Sequence, residues 1–168
     1  MTILYCYVNS SSFVIKDQEI LEIEHDVISV STGRLKRSGI ISSLLKQAWS
    51  ILKLIRKCDL VIVSGAGHHA LFPALISKLF SRPCYITIIG VDGSMFPGIG
   101  YGNFSKQPLK FITSLCLKLA TELWPIHDSL RYHDYSYCED GGTKQGYEAF
   151  VPTLKTPSLV INRGYDSE

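Results

Sequence analysis

The sequence predicts an α/β fold: a doubly wound, mostly parallel sheet of the Rossmann-like kind. Three observations carry that expectation. Short apolar runs rich in β-branched residues alternate with amphipathic helical stretches along almost the whole chain. Runs such as DLVIVS (59–64) and CYITII (84–89) are apolar on both faces, as parallel strands are when helices cover both sides of a sheet. Glycine-rich turns follow these two runs, at the carboxyl ends of strands where open α/β sheets bind their ligands.

The elements follow in order. Residues 3–8 form the first strand, and Asn9-Ser10-Ser11-Ser12 turns the chain into a helix over FVIKDQEILEIE (13–24). Phe13, Ile20 and Leu21 share one face of that helix, with Lys16, Asp17 and Glu24 opposite. DVISV (26–30) is the second strand. Residues 40–57 give the clearest helical pattern, with Ile41, Leu44, Leu45, Ala48, Ile51, Leu52 and Ile55 inward and Lys46, Ser50, Lys53 and Lys57 on the far side. The third strand, 59–64, ends in GAGHH (65–69) and a helix over ALFPALISKLF. The fourth, 84–89, runs into the loop GVDGSMFPGIGYG. A helix over about 107–123 follows, with Pro108 near its first turn and Leu109, Ile112, Leu115, Cys116 and Leu119 inward. Residues 123–126 and 158–162 read as two further short strands. Only 132–150, polar and aromatic around a Gly-Gly centre, breaks the rhythm; it reads as a surface loop with a short helix at 144–150.

Composition bounds the function. With 168 residues, 46% of them hydrophobic and 19% charged, the chain is long enough for one domain with a substantial core. A net charge of +2 and the lack of a basic stretch interleaved with aromatics argue against nucleic acid as a partner. Five cysteines, Cys6, Cys58, Cys84, Cys116 and Cys138, stand at wide spacings without CxxC, which predicts neither a disulfide framework nor a metal site and points to a reducing, cytoplasmic compartment. No apolar run reaches the length of a membrane span. The stretch from Val27 to Cys58 has no Asp or Glu but contains Arg34, Lys36, Arg37, Lys46, Lys53, Arg56 and Lys57. Its helical face of Lys46, Trp49, Lys53 and Lys57 has the make-up of a peripheral contact with anionic headgroups; the alternative is a face that is merely solvated.

Four features are candidates for chemistry. Ser10, Ser11 and Ser12 open a helix, where hydroxyls and the helix dipole suit an anion, or where one serine simply caps the helix. In GAGHH, Gly65 and Gly67 would let the backbone approach a ligand, and His68 and His69 offer imidazoles for a phosphate or hydroxyl; a backbone-bonded histidine at a helix start is the alternative. Asp92, the lone carboxylate of the glycine loop, is the candidate catalytic base or sugar-hydroxyl acceptor, against an Asx turn or helix cap. Gly90, Tyr101 and Gly102 frame it. No GxSxG elbow stands at a strand end, which disfavours a hydrolase built on the histidines.

Taken together, SSSFVIKDQEIL, GAGHH, IIGVDGSMFPGIGYG and VINRGYDSE resemble, in order and spacing, the N-terminal half of family-4-like glycosyltransferases with the GT-B fold. Gly90-Val91-Asp92 matches a Gly-x-Asp segment of one branch, and residues 97–102 match its Pro-x-Ile-Gly-Tyr-Gly element. NRGYDSE is similar to the turn leading into the second domain. The first loop departs from the family's frequent Gly-Gly by carrying serines. The resemblance implies an acceptor-binding domain of an enzyme that moves a sugar from a nucleotide-sugar donor to a saccharide or lipid-linked acceptor, with no separate cofactor or metal. It also implies that a C-terminal donor-binding domain, or a separate subunit, supplies the other wall of the cleft, and that these 168 residues alone are inactive. A fragment of a longer product is preferred to a natural split subunit. The rival reading is a non-catalytic doubly wound domain that binds a small anionic ligand or a protein partner.

Overall fold

The computed structural model describes residues 1–33, 39–135 and 144–161. Five strands, β1 (Thr2–Tyr7), β2 (Asp26–Ser31), β3 (Leu60–Ser64), β4 (Cys84–Ile88) and β5 (Glu122–Pro125), form one sheet in the order β2-β1-β3-β4-β5. All four neighbouring pairs are parallel. The chain returns along the β5 edge: Leu123 bridges Ser158 in parallel, and the Leu159 and Ile161 amides donate to the carbonyls of Leu123 and Pro125 at 2.9 Å. The doubly wound Rossmann-like class is thus the observed one.

Between the strands run α1 (Ser12–Glu22), α2 (Ile40–Leu54), α3 (His68–Leu79) and α4 (Leu109–Leu119). The larger core joins Leu4, Cys6, Val61, Val63, Ile86, Ile88 and Leu123 from one sheet face to Ile51, Ala70, Ala74, Cys116 and Leu117 from α2, α3 and α4. On the other face, Ile3, Tyr5 and Ile62 pack with Val14 of α1. Each fully buried aliphatic side chain is worth about 1.5–3 kcal/mol in removal from water, so the three-helix side holds most of the fold's stability.

The first helix turns a different face inward from the one its periodicity suggested, and the second buries only part of the expected stripe. In α1 the buried or half-buried positions are Val14, Asp17, Gln18 and Leu21, while Phe13 and Ile20 are exposed. Polar anchors decide this: the Tyr5 hydroxyl donates to Asp17 at 3.0 Å, and the Gln18 amide donates to the Ser29 hydroxyl. In α2, Gln47, Ala48, Ile51 and Ile55 of the following turn are buried, whereas Ile41, Leu45 and Leu52 face solvent.

Gln47 is buried because α3 contains Pro73, which has no N–H to give the carbonyl four residues back. That carbonyl belongs to His69, and the Gln47 side chain donates to it at 3.0 Å. α4 begins later than expected, with Pro108 just outside it, and turns Thr113, Cys116 and Leu117 into the core.

The segment expected to be a surface loop is tied inward. Among the described residues it forms a two-strand ladder, β6 (His133–Asp134) with β7 (Lys144–Gln145), and then α5 (Tyr147–Phe150). Gln145 and Tyr147 are buried. Cys6, Cys58, Cys84 and Cys116 are free and buried, and burial pushes the Cys84 and Cys116 thiols up to about 12, so they behave as small core hydrophobes. Cys138, Arg34, Lys36, Arg37 and the closing turn at 162–168 lie outside the described residues.

Candidate functional site at the carboxyl edge

In the order β2-β1-β3-β4-β5 the winding reverses between β1 and β3, which are neighbours in the sheet although β2 lies between them in sequence. Open α/β sheets form their ligand crevice at such a point, outside the carboxyl ends of the strands. The loops leaving β1 and β3 there are Asn9 to Ser12 and Gly65 to Gly67. The glycine loop leaves β4, the next strand along.

The first loop opens an eleven-residue helix, and Ser11 is its N-cap by backbone position. No side chain caps the helix. Ser10 and Ser12 are exposed, and the Ser11 hydroxyl is buried without a hydrogen-bond partner among the described residues. The capping alternative is therefore not what this loop adopts. An unpaired hydroxyl stands instead at the positive end of a helix dipole.

The second and third loops are fused by a buried polar network. Gly65 has φ +88°, and a Cβ built on it would stand 3.3 Å from Asp92 Oδ2 and 3.5 Å from His69 Nε2. A Cβ on Gly67 would stand 3.3 Å from His69 Nδ1. The space these glycines leave is thus filled by the chain's own imidazole and carboxylate.

His69 Nε2 lies 2.9 Å from the Ser64 carbonyl, which can only accept, so Nε2 carries the proton. Asp92 accepts from the Ile89 amide at 3.3 Å and from the Asn103 amide group at 3.1 Å. Asn103 also donates to the Ala66 carbonyl at 2.8 Å, where the Thr113 hydroxyl donates at 3.0 Å. The sequence reading missed Asn103 and Thr113 because neither stands in a motif; their role comes from distant chain segments meeting at Ala66.

Burial sets the electrostatics. It pushes the Asp92 carboxyl up, and the neighbouring His69, the Ile89 amide and Asn103 pull it back. Burial likewise holds the His69 imidazole down, while its bond to Ser64 and the nearby Asp92 act the other way. Asp92, read from sequence as facing substrate, is turned inward and only 7% exposed. The reason is local: its oxygens meet the donors that hold the loop, with an imidazole alongside.

The rim is built above this pair. Phe96 and Tyr101 exchange backbone hydrogen bonds of 2.9 and 3.1 Å, and their rings pack 6.1 Å apart between centroids. The Tyr101 ring is exposed, and its hydroxyl lies 3.9 Å from where a Gly90 Cβ would be. Gly102 is buried at φ +94°, and a Cβ there would overlap the Ser94 carbonyl. Gln145 grips Met95 of the same loop with two bonds of 2.9 Å, one from the Met95 amide and one to its carbonyl.

The structure therefore brings together Gly65, Gly67, His69, Gly90, Asp92, Tyr101 and Gly102. His68 is half-buried at the start of α3. Ser10, Ser11 and Ser12 sit at the end of β1, beside β3, and the hydrogen bonds of the network do not reach them. Among the described residues no cluster of three His, Cys, Asp or Glu side chains is placed to hold a metal ion, and no helix is long and apolar enough to cross a membrane.

Comparison with known proteins supports the fold. No family model matches the chain, and no curated protein matches it. Among solved structures, a co-structure of S. aureus MnaA with UDP is similar at 18% identity and a TM-score of 0.52, over 76% of this chain and 38% of that one. A UDP-GlcNAc 2-epimerase from Methanocaldococcus jannaschii is similar at 11% identity and a TM-score of 0.51, over 76% of this chain and 40% of that one. The matched region thus spans about two-fifths of each neighbour. The shared architecture is the Rossmann-like parallel α/β fold.

Proposed function

We propose that this chain is one half of a nucleotide-sugar enzyme, the acceptor-side domain of a glycosyltransferase. The observation that carries the reading is positional. The serine turn and the glycine–histidine turn flank the topological switch of the sheet, with the Asp92 loop on the next strand.

The unpaired Ser11 hydroxyl at the start of α1 supports contact with a diphosphate. His68 and the Tyr101 hydroxyl are the accessible polar groups for sugar hydroxyls. Asp92 and His69 are positioning residues in this reading: they pin the two loops together so that the rim keeps its shape. The sugar's departure from a diphosphate needs charge stabilisation from both sides of a cleft, so a second domain or subunit supplies the remaining donors. We place the enzyme in the cytoplasm.

A second reading, a sugar-nucleotide epimerase half, is favoured by the likeness in fold to the UDP-GlcNAc 2-epimerase from Methanocaldococcus jannaschii. Calorimetric titration separates the readings. Binding of a saccharide or lipid-linked acceptor supports the transferase half, and binding of UDP-GlcNAc with no response to any acceptor supports the epimerase half. Response to a free mononucleotide alone would leave a simple binding module and overturn both.

A further inference from the structure

The three helices that cover one sheet face, α2, α3 and α4, contain not one Asp or Glu, while α1 on the opposite face carries Asp17, Glu19 and Glu22. Solvated helices ordinarily interleave both signs. Here the molecule is polarised across its sheet.

The cationic side is also apolar. Ile41, Leu45, Trp49 and Leu52 follow one another at spacings of four, four and three residues, one ridge along α2, and all four are exposed, Ile41 by 75% and Trp49 by 62%. Lys46, Lys53 and Lys57 are exposed alongside, and Lys53 Nζ lies 5.0 Å from the Trp49 ring centroid. The nearest acid in sequence, Asp59, accepts from the Thr2 amide at 2.8 Å. A ridge of this kind left in water is unfavourable.

We infer that this face is a docking surface for an anionic lipid bilayer, with α2 lying in the headgroup plane. Aliphatic side chains enter the acyl boundary, the tryptophan sits at headgroup level, and the lysines bend outward to lipid phosphates. The complementarity is of charge as well as polarity: nothing on the three helices repels an anionic surface. The inference extends beyond the sugar chemistry and does not depend on it, because the ridge lies on the flank of the sheet and the candidate site at its carboxyl edge.

Vesicle sedimentation tests it without nucleotide or sugar. The chain is expected to pellet with phosphatidylglycerol-containing vesicles and not with pure phosphatidylcholine vesicles, with binding that weakens as salt is raised and Trp fluorescence that shifts to the blue. Lys53→Glu with Lys57→Glu should weaken binding at least about tenfold, and Leu45→Ser with Trp49→Ser should abolish it. These side chains are exposed, so an unchanged circular dichroism spectrum is expected for both variants. Equal binding to neutral vesicles, no binding to either, or self-association in sedimentation velocity that Trp49→Ser removes would overturn the inference, the last by making the ridge an interface between copies.

Discussion

Asp92 and His69 face each other across the glycine backbone of the third strand's exit, and burial acts on them in opposite directions. It raises the Asp92 carboxyl and lowers the His69 imidazole. In Asp92→Asn only the lowered histidine remains. The unfolded chain then takes up a proton on that imidazole as pH falls below the ordinary histidine value of about 6.5, and the folded chain resists. Stability of this variant is therefore expected to fall on acidification below that pH. In His69→Gln only the raised carboxyl remains. Its folded state holds the proton more tightly than the unfolded state, so stability should fall as pH rises from about 4, the ordinary aspartate value, towards neutrality. Melting temperatures of the two variants across this range check the pair, and slopes of the same sign would contradict the shared burial.

At the level of elements, the glycine loop is held by what packs around each position. Gly102→Ala would put a methyl group into the Ser94 carbonyl at a left-handed φ, and Gly98, in the same loop, has nothing within 4 Å of its would-be Cβ. Urea denaturation is expected to show a loss of roughly 3 kcal/mol or more for Gly102→Ala and a change within about 0.5 kcal/mol for Gly98→Ala. Equal effects would mean that the loop is not seated as described.

The alternation of strands and helices, and the loop positions, were legible in the sequence because they rest on local periodicity and turn chemistry. Which face each helix buries was less so. α2 carries more apolar residues than one buried stripe can use, so Ile41, Leu45 and Leu52 satisfied the helical pattern and yet lie outside. Gln47 lies inside because of a proline in another helix. The inward turn of Asp92 was likewise hidden, since Asn103 lies eleven residues away and Gln145, which clamps the same loop, lies fifty from Met95.

For the whole molecule, the sheet order sets where the candidate loops meet. The winding reverses between β1 and β3, where open α/β sheets form their ligand crevice, and the candidate residues of three loops lie along that edge. The two faces of the sheet divide by charge, with acids on α1 and cations on α2 to α4, so in the reading proposed above the fold offers one edge for a ligand and one face for a surface. The central claim is the location of the ligand edge, and amide-resolved NMR titration with UDP-GlcNAc tests it most directly. Shift changes are expected to cluster at Ser10 to Ser12, Gly65 to His68 and Gly90 to Gly102; changes confined to the amino-terminal ends of the strands or to the outer helix surfaces, or none at all, would contradict it.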